Sequence, residues 1–383
     1  MSILSEIPQD IVTPAFVYDI GLLRKTLAEI DTVLGNKSAW HLHYAVKANN
    51  NKIIVEEIAK SEKIGADCVS IGEIRWVIEN GFRVSDIMFA GVGKTSAEIK
   101  EALELGIGCF NVESEPELEN INRIATAMGV KAPVALRVNP DIDAHTHPGI
   151  TTGTYEDQFG IPYDHIDKLV PKALEMTGIS LKGLHFHIGS QITDMKPFGK
   201  LCSKINDLQD YWNARGVFFS IINVGGGLGI DYENPDVHPI ADFKDYFSTF
   251  ENLKLRKDQE LHFELGRAIV AQCGSLVTRV MYVKEGANKK FAIVDGGFNC
   301  LIRPALYDAH HRIDVINPSG AAIEHYDVVG PICESTDCFV REFKSPTLHS
   351  GDLLAIRSAG AYGETMSSNY NMRGLPSSVY INL

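Results

Sequence analysis

The chain alternates short apolar runs with longer amphipathic segments between residues 40 and 267. The short runs are rich in β-branched and aromatic residues, which predicts strands. The intervening segments, such as KTSAEIKEALELG, begin with serine, threonine or an acid and end in glycine, as helices do. The predicted strands are LHYAVKA (42–48), GADCVS (65–70), DIMFAG (86–91), GCFNVES (108–114), PVALRVN (133–139), GLHFHIG (183–189), FSIINVG (219–225) and LHFELGR (261–267). Eight strands separated by helices favour a (β/α)8 TIM-like barrel, with a doubly wound sheet as the alternative.

The pattern changes after Arg267. Segments such as SLVTRVMYVKEGANKKFAIVDGGFN alternate apolar and polar residues around turn signals, which predicts an antiparallel β domain. The early segment TPAFVYD (13–19) is predicted to be a further strand of that domain. The sequence therefore predicts an α/β protein, with a barrel over residues 25–262 and a β domain built from residues 1–24 and 263–383.

Composition narrows the class of protein. With 45% hydrophobic and 22% charged residues, the chain has the balance of a globular protein. A formal net charge of −13 argues against a nucleic-acid partner, and no stretch of about 18 uncharged apolar residues predicts a membrane span. The first residues lack the basic and apolar regions of a signal peptide. The cysteines form no C-x-x-C pair, which favours free thiols and a cytoplasmic location.

A lysine follows the first predicted strand. In HLHYAVKANNN (41–51), the apolar alternation stops at Lys47, just before three asparagines. Barrel enzymes carry their active sites at the carboxyl ends of the strands, so Lys47 is a candidate site residue. A single lysine at a strand end is more commonly a solvated surface residue. The residues at the other strand ends show whether Lys47 is such a residue or part of an active site.

Two histidines end the sixth predicted strand. In GLHFHIGSQI, His185 and His187 lie on one face of the strand. Such a pair could bind a metal, as in metal-dependent barrel hydrolases, or could combine one buried histidine with one functional histidine. Later strand ends carry no second cluster of histidine and aspartate, and we expect no metal site. A second pair, His145 and His147, is expected to be structural or to lie at the surface.

The last two predicted strands end in groups that suit charged ligands. The segment NVGGGLGI (223–230) contains three adjacent glycines, whose N–H groups can approach an anion closely. Phosphate sites in barrels often follow strands seven and eight. The segment FELGR (263–267) contains Glu264 and Arg267, and a buried carboxylate needs a partner. That partner could be a protonated heterocyclic nitrogen or Arg267 itself.

These strand ends together match the needs of one cofactor. Pyridoxal 5′-phosphate requires a lysine for covalent attachment and N–H groups for its phosphate. It also requires an acid that keeps its ring nitrogen protonated. The sequence therefore predicts that Lys47 is the lysine that holds this cofactor.

Long segments of the chain match one enzyme family. They are YAVKAN, GADCVSIGEI, FAGVGKTSAEI, FNVESEPELE, LRVNPDIDAHTHPGITTG, FHIGSQI, VGGGLGIDY, RPALYDAHH, VGPICESTD and AGAYGETMSSNYN. On these segments the chain resembles the group IV, fold-type III pyridoxal-phosphate decarboxylases, whose fold is an alanine racemase-like barrel with a β domain. FNVESEPEL and NPDIDAHTHPGI point to the members that convert meso-2,6-diaminopimelate to L-lysine and carbon dioxide, the last step of bacterial lysine biosynthesis. They point away from ornithine and arginine decarboxylases.

The resemblance implies which residues bind the cofactor. Lys47 would hold it, His187 would stack on its ring, and Glu264 would bind the pyridine nitrogen. Six further residues would bind the phosphate or another part of the cofactor: Ser190, Gly227, Leu265, Gly266, Arg267 and Tyr362.

The resemblance also implies a substrate site and an assembly. The substrate would be bound by side chains that pair with carboxylate or ammonium groups or flank them: Arg267, Arg303, Tyr307, Glu334 and Tyr362. Cys333 would be the catalytic proton donor. Members of the family complete the active site across a head-to-tail homodimer, in which the segment CEST comes from the partner subunit.

Two positions depart from the usual family pattern. Leu265 replaces the proline of E-P-G-R, and Glu364 replaces a phenylalanine. We expect these changes to bear on substrate preference and not on the reaction class. Two rival functions remain open: carboxynorspermidine decarboxylation within the same superfamily, and a metal-dependent barrel hydrolase built on His185 and His187.

Overall fold

The structure is a computed structural model that describes residues 3–142, 158–318 and 322–383. His145 and His147 lie outside these described residues. Numbered along the chain, the strands are β1 (Ala15–Asp19), β2 (Trp40–Ala45), β3 (Ile64–Cys68), β4 (Ile87–Phe89), β5 (Cys109–Val112), β6 (Ala132–Asn139), β7 (Ile161–Pro162), β8 (Ile179–His185), β9 (Ile221–Asn223), β10 (Glu260–Leu265), β11 (Gly274–Glu285), β12 (Lys290–Val294), β13 (Ile313–Ile316), β14 (Ile323–Val329), β15 (Cys338–Pro346), β16 (Leu353–Ile356) and β17 (Ser377–Ile381).

Ten α-helices lie within the described residues, and local sequence signals cap some of their ends. They are α1 (Ile20–Leu34), α2 (Lys52–Ala59), α3 (Ile71–Glu79), α4 (Ser96–Leu105), α5 (Glu115–Met128), α6 (Ile166–Glu175), α7 (Lys196–Asn213), α8 (Phe243–Thr249), α9 (Arg267–Val270) and α10 (Arg303–Tyr307). At α4, Thr95 and Glu98 form a reciprocal capping box, and Gly106 ends the helix with a φ of 75°. This is the helix that KTSAEIKEALELG predicts.

The chain divides into two compact units. The barrel unit comprises Leu27–Gly229 and Asp242–Gly266, and the β unit comprises Met1–Thr26, Ile230–Ala241 and Arg267–Leu383. The observed division after Gly266 falls four residues later than the sequence-based boundary, because β10 continues to Leu265.

Eight parallel strands form the closed sheet of the barrel unit. Their order is β5-β4-β3-β2-β10-β9-β8-β6, and pairing of β5 with β6 closes the ring. The short β7 pairs with β6 outside this ring. This confirms the predicted barrel and rules out the doubly wound alternative. The sixth barrel strand, β8, covers residues 179–185 where 183–189 was predicted, because the apolar run outlasts its pairing with β9, which ends at His185.

Strand β10 has two chemically different faces. Successive side chains alternate, so Phe263 lies on the face opposite to Glu264. The Phe263 ring packs edge-on against Phe247 of α8, with ring centroids 4.9 Å apart, and it also contacts Tyr246 and Phe250. Burial of one such ring contributes about 1.5–3 kcal/mol to folding. This packing fixes the strand and leaves Glu264 on the inner face of the barrel.

The β unit contains a mixed sheet. Its main order is β13-β16-β11-β12-β14-β15, and β1 pairs with both β11 and β17. Most pairs are antiparallel, as predicted, but β12–β14 and β1–β17 are parallel, so the sheet is mixed. The first and last strands can run parallel because the whole barrel separates them in sequence, which leaves ample chain for the crossover.

Within the described ranges, the structure contains no helix with the length and hydrophobicity that crossing a membrane requires.

Candidate active site

Lys47 projects from a short turn, Val46–Ala48, that directly follows β2. Its Nζ lies 3.5 Å from Oδ2 of Asp67 at the end of β3, and the lysine side chain is 46% exposed. Asp67 is buried, and its other oxygen, Oδ1, has no hydrogen-bond partner among the described residues. Burial, followed by the charge of Glu264, raises the pKa of Asp67, while Lys47 opposes this shift.

Glu264 is held from three directions inside the barrel. Its Oε1 accepts hydrogen bonds from Nδ2 of Asn111 at 2.7 Å and from Nδ2 of Asn223 at 2.6 Å. Its Oε2 lies 3.0 Å from Nε2 of His185, close enough for an ion pair although the angle is poor for a hydrogen bond. Burial alone would raise the pKa of Glu264, but His185, Asn223 and Lys47 outweigh burial and lower that pKa. Glu264 is therefore a carboxylate at neutral pH.

His187 follows β8 and has a defined tautomer. Its Nδ1 accepts a hydrogen bond from the N–H of Gly226 at 3.3 Å, so a neutral ring carries its proton on Nε2. Burial, followed by the charges of Arg137 and Lys47, lowers the pKa of His187 well below its usual value. The ring is therefore neutral, and a neutral flat ring suits stacking.

The glycine loop after β9 packs directly against β10. A Cβ on Gly226 would lie 1.9 Å from the carbonyl oxygen of Glu264, so no larger residue fits there. Gly227 has a φ of +107°, which L side chains rarely adopt. The N–H of Gly227 donates to no acceptor within the described residues. The loop thus exposes a backbone donor of the kind a phosphate binds.

Arg137, whose charge acts on His187, belongs to a set of buried ion pairs that the sequence patterns did not single out. Nη1 of Arg137 lies 2.7 Å from Oε1 of Glu113, and Lys94 lies 2.7 Å from Glu117. The Lys94 side chain is fully buried. The available signal was an ionisable residue, Arg137, in the otherwise apolar strand PVALRVN. The ion pair with Glu113 holds Arg137 in place, and the charge of Arg137 in turn helps to keep His187 neutral.

These groups fit pyridoxal 5′-phosphate. The barrel supplies an accessible lysine, a neutral imidazole, an ionised buried carboxylate and a loop with an unused N–H group. Several buried polar atoms there also have no partner among the described residues: Oδ1 of Asp67, Oδ1 of Asn111 and Nδ1 of His185. Buried polar atoms are normally paired, so their lack of partners fits a polar ligand in this barrel.

The β unit brings together a second cluster, centred on Tyr232. Its hydroxyl accepts hydrogen bonds from Nη1 of Arg267 at 2.7 Å and from Nη1 of Arg303 at 2.8 Å. Burial favours the neutral phenol, but the two guanidinium groups outweigh it and lower the pKa of Tyr232. Nη1 of Arg303 also donates to Nε2 of His311 at 3.1 Å. The sequence analysis missed Tyr232 and His311, although Tyr232 lies in the matching segment VGGGLGIDY.

Two predicted tyrosines belong to the β unit. The guanidinium carbon of Arg267 lies 5.0 Å from the centroid of the Tyr362 ring, a cation–π arrangement. Tyr362 has a φ of +56°, which costs about 1–3 kcal/mol for a residue with a side chain. Such strain is typical of functional positions. Tyr307 is the last residue of α10, which begins at Arg303, and it is half-buried.

Cys333 and Glu334 are exposed in the single chain. Cys333 is the exposed cysteine of the seven, and all seven are free thiols. The N–H of Cys333 donates to Oδ1 of Asn371 at 3.2 Å, and Tyr370 donates to Oε1 of Glu334 at 3.0 Å. Cys333 is thus set apart from the other cysteines, five of which are buried.

Both residues that depart from the family pattern, Leu265 and Glu364, make defined contacts in the structure. Leu265 is buried at the end of β10, paired in register with Tyr44. Glu364 accepts hydrogen bonds from the hydroxyl of Tyr18 at 2.6 Å and from Ser378 at 2.9 Å. Glu364 thus ties β1 to β17, which gives this carboxylate a structural role.

Comparison with known proteins identifies the family. Residues 21–271 match the family described as "Pyridoxal-dependent decarboxylase, pyridoxal binding domain". Diaminopimelate decarboxylase from Bacteroides thetaiotaomicron is 53% identical over 365 residues, which cover 95% of this chain and 94% of that protein. The chain belongs to the diaminopimelate decarboxylase family. Its cofactor is pyridoxal 5′-phosphate.

Other relatives agree with this assignment. Diaminopimelate decarboxylase from Vibrio cholerae is 43% identical, over 97% of this chain and 88% of that protein. The crystal structure of diaminopimelate decarboxylase from Helicobacter pylori in complex with L-lysine has a TM-score of 0.92 and 39% identity, and the match covers 99% of this chain and 94% of that chain. Lysine/ornithine decarboxylase from Vibrio vulnificus shares the fold at a TM-score of 0.84 but only 22% identity.

Proposed function

We propose that this chain decarboxylates meso-2,6-diaminopimelate to L-lysine and carbon dioxide, with pyridoxal 5′-phosphate as its cofactor. The observation that carries the proposal is the buried, ionised Glu264, held by Asn111, Asn223 and His185. A fixed carboxylate of this kind keeps a heterocyclic nitrogen protonated. The substrate follows from relatives named diaminopimelate decarboxylase at 53% and 43% identity over nearly the whole chain.

The barrel residues bind the cofactor and control its charge. Lys47 would hold it covalently, the neutral ring of His187 would lie against its ring, and the Glu264 carboxylate would pair with its ring nitrogen. When bound, the cofactor supplies an electron sink for the electron pair that remains after carbon dioxide leaves. Its phosphate would be bound by Ser190, by the free N–H of Gly227 and by backbone groups of Leu265, Gly266 and Arg267.

The β-unit residues bind the substrate. Arg267 and Arg303 share the Tyr232 hydroxyl, and each can form a bidentate pair with a carboxylate. The substrate has amino-acid groups at both ends, so one end must be anchored while the other reacts. Tyr307 and Tyr362 flank this site, and the Glu334 carboxylate pairs with the remote ammonium group.

Cys333 supplies the proton that replaces the lost carboxylate. A thiol can act as a general acid, and this thiol is exposed and therefore accessible. Cys333 and Glu334 complete the active site of a partner subunit, so the working enzyme is a homodimer. The exposure of both residues in the single chain supports this arrangement. We also place the enzyme in the cytoplasm, because its seven cysteines are unpaired thiols.

The test is carbon dioxide release from meso-diaminopimelate by the purified chain, with and without added pyridoxal 5′-phosphate. Carboxynorspermidine and ornithine are assayed in parallel. Cofactor-dependent release from meso-diaminopimelate alone is the expected result. Release from carboxynorspermidine instead would keep the roles of Lys47 and Glu264 and change the substrate. No release and no bound cofactor would refute the proposal and favour the metal-dependent hydrolase.

Lys47→Ala should lose both cofactor retention and turnover. The matched control is Lys60→Ala, which changes a lysine on the surface of the same unit that is 65% exposed and pairs with Glu57. Cofactor content is read from absorbance after dialysis. Retention of the cofactor by Lys47→Ala at the level of the control would overturn the assignment of Lys47.

A further inference from the structure

A cluster of metal-ligating side chains lies toward the start of two barrel strands, two residues before Glu264 on one of them. It comprises His41 on β2 with Glu260 and His262 on β10. The parallel register pairs His41 with His262, so these two side chains project from adjacent positions on the same face. One ligand atom from each of the three residues lies within 4.8 Å of the others.

The carboxylate of Glu260 lies between the two imidazoles. Its Oε2 is 3.2 Å from Nε2 of His262, and its Oε1 is 3.8 Å from Nε2 of His41. Tetrahedral zinc with bonds of about 2.0–2.1 Å places its ligand atoms about 3.4 Å apart. The two observed separations, one from each oxygen of Glu260, lie near that value, and the set of one ligand atom per residue spans at most 4.8 Å. The side chains of His41 and Glu260 are 40% and 50% exposed, so both have room to adjust.

A hydrogen-bonded relay behind the cluster fixes the tautomer of His262. Nδ1 of His43 lies 3.1 Å from the carbonyl oxygen of Asp86, which can only accept, so this nitrogen carries a proton. Nε2 of His43 lies 2.9 Å from Nδ1 of His262. His43 is buried and neither of its ring nitrogens contacts a carboxylate, so a charged ring there would be costly. In the neutral ring Nε2 of His43 is an acceptor, and Nδ1 of His262 must donate to it.

This relay directs the lone pair of His262 at the Glu260 carboxylate. With His262 neutral, its Nε2 and Oε2 of Glu260 would be two acceptors 3.2 Å apart, a pair that either a proton on Nε2 or a metal ion between them would satisfy. Metal-bound histidines characteristically donate their other ring N–H to a fixed acceptor, as His262 donates to His43. The relay therefore prepares His262 to act as a ligand.

We infer that His41, Glu260 and His262 bind a divalent transition-metal ion of the zinc class, with water as a fourth ligand. Two imidazoles and one carboxylate are a ligand set that zinc accepts readily. This site departs from the expectation, drawn from the sequence, of no metal. It links the first and last strands of the barrel at the end that in barrel enzymes serves stability rather than catalysis. The inference is independent of the proposed activity.

The test is a zinc titration of tag-free, chelator-treated protein in competition with a chromogenic chelator. All proteins carry Cys333→Ala, because the exposed thiol of Cys333 is itself a zinc ligand. His41→Ala and Glu260→Gln should each weaken zinc binding at least about 10–100-fold. His325→Ala is the matched control, since His325 is an exposed histidine that lies 3.5 Å from a glutamate, Glu342, elsewhere in the chain. It should bind zinc like the parent.

Two further readouts report on the geometry of the metal site and on the folding of the variants. Cobalt(II) added to the parent should give the visible absorption of a tetrahedral site, and both ligand variants should lose it. Circular dichroism checks that the variants remain folded, which is expected because both changed side chains are partly exposed. Equal zinc affinity in the parent and all variants would overturn the inference. Absence of binding by the parent would also overturn it.

Discussion

Glu264→Gln separates the stability of the barrel from its chemistry. The substitution keeps the shape of the side chain and removes its charge. The amide oxygen of glutamine can still accept from Asn111 and Asn223, whose donors lie 2.7 and 2.6 Å from Oε1 of Glu264. Its amide nitrogen would take the place of Oε2, which is 3.0 Å from Nε2 of His185. The angle at that position is poor for a hydrogen bond, so the glutamine keeps the two bonds from the asparagines and loses the attraction to His185.

The contacts of Glu264 determine how much the substitution changes the free energy of unfolding. A hydrogen bond to a carboxylate contributes about 1.5–3 kcal/mol and a neutral one about 0.5–1.5 kcal/mol, so weakening two bonds costs about 2 kcal/mol. Removing a buried charge returns several kcal/mol of desolvation, and loss of the attraction to His185 offsets part of that gain. These contributions nearly cancel. We expect the free energy of unfolding to change by no more than about 2 kcal/mol.

Turnover should respond much more strongly. In the proposed mechanism the carboxylate keeps a proton on the cofactor ring nitrogen, so its loss should lower kcat about 10²–10³-fold, as when one preorganised electrostatic group is lost. The assay is carbon dioxide release at saturating cofactor, alongside urea unfolding of the cofactor-free protein. Glu251→Gln, an exposed glutamate paired with Lys37 in the same unit, is the control. Unchanged turnover in Glu264→Gln would refute the role of Glu264. Failure of that variant to fold would refute the expectation that its free energy of unfolding changes by no more than about 2 kcal/mol.

Three further predictions concern Cys333, Tyr232 and His311. Cys333→Ala should keep the absorbance of the bound cofactor and lose about 10²–10⁴-fold in turnover; full activity would exclude it as the proton donor. Tyr232→Phe removes the acceptor shared by two buried arginines, so the free energy of unfolding should fall by about 3 kcal/mol in urea titrations, and an unchanged value would contradict this. Burial and the charge of Arg303 lower the pKa of His311 to about 3. As pH falls below 6.5, the unfolded chain takes up this proton before the folded chain does. The contribution of His311 to stability is therefore complete above pH 6.5 and is lost toward pH 3, by up to about 1.4 kcal/mol per pH unit. His311→Gln should flatten that slope in urea titrations across this range, and an unaltered slope would assign the acid sensitivity to other groups.

The residue pattern was enough to predict the barrel. Each predicted barrel strand lies within a few residues of its expected place, because strand and helix periods are local properties of the chain. The boundaries were less predictable. The apolar run after His185 continues beyond the last pairing of β8, so hydrophobicity alone placed that strand four residues late. The pairing of β1 with β17 depends on strands at opposite ends of the chain.

The candidate cofactor residues were also predictable, because their types and their places at strand ends are visible in the sequence. Lys47, the glycine loop and Glu264 each follow or end a predicted strand. The charge state of Glu264 was not predictable. It depends on Asn111, His185 and Asn223, which come from three other strands and meet only when the ring of eight strands closes.

The tertiary structure alone decided the remaining features. Tyr232 gains its two arginine donors from Arg267 and Arg303, which lie 35 and 71 positions away in sequence. The cluster of His41, Glu260 and His262 exists because the first and last barrel strands are neighbours. Sequence determines which chemical groups are present and, to within a few residues, where each element lies. Contacts between groups far apart in the chain, and the desolvation that comes with burial, determine their protonation and their partners.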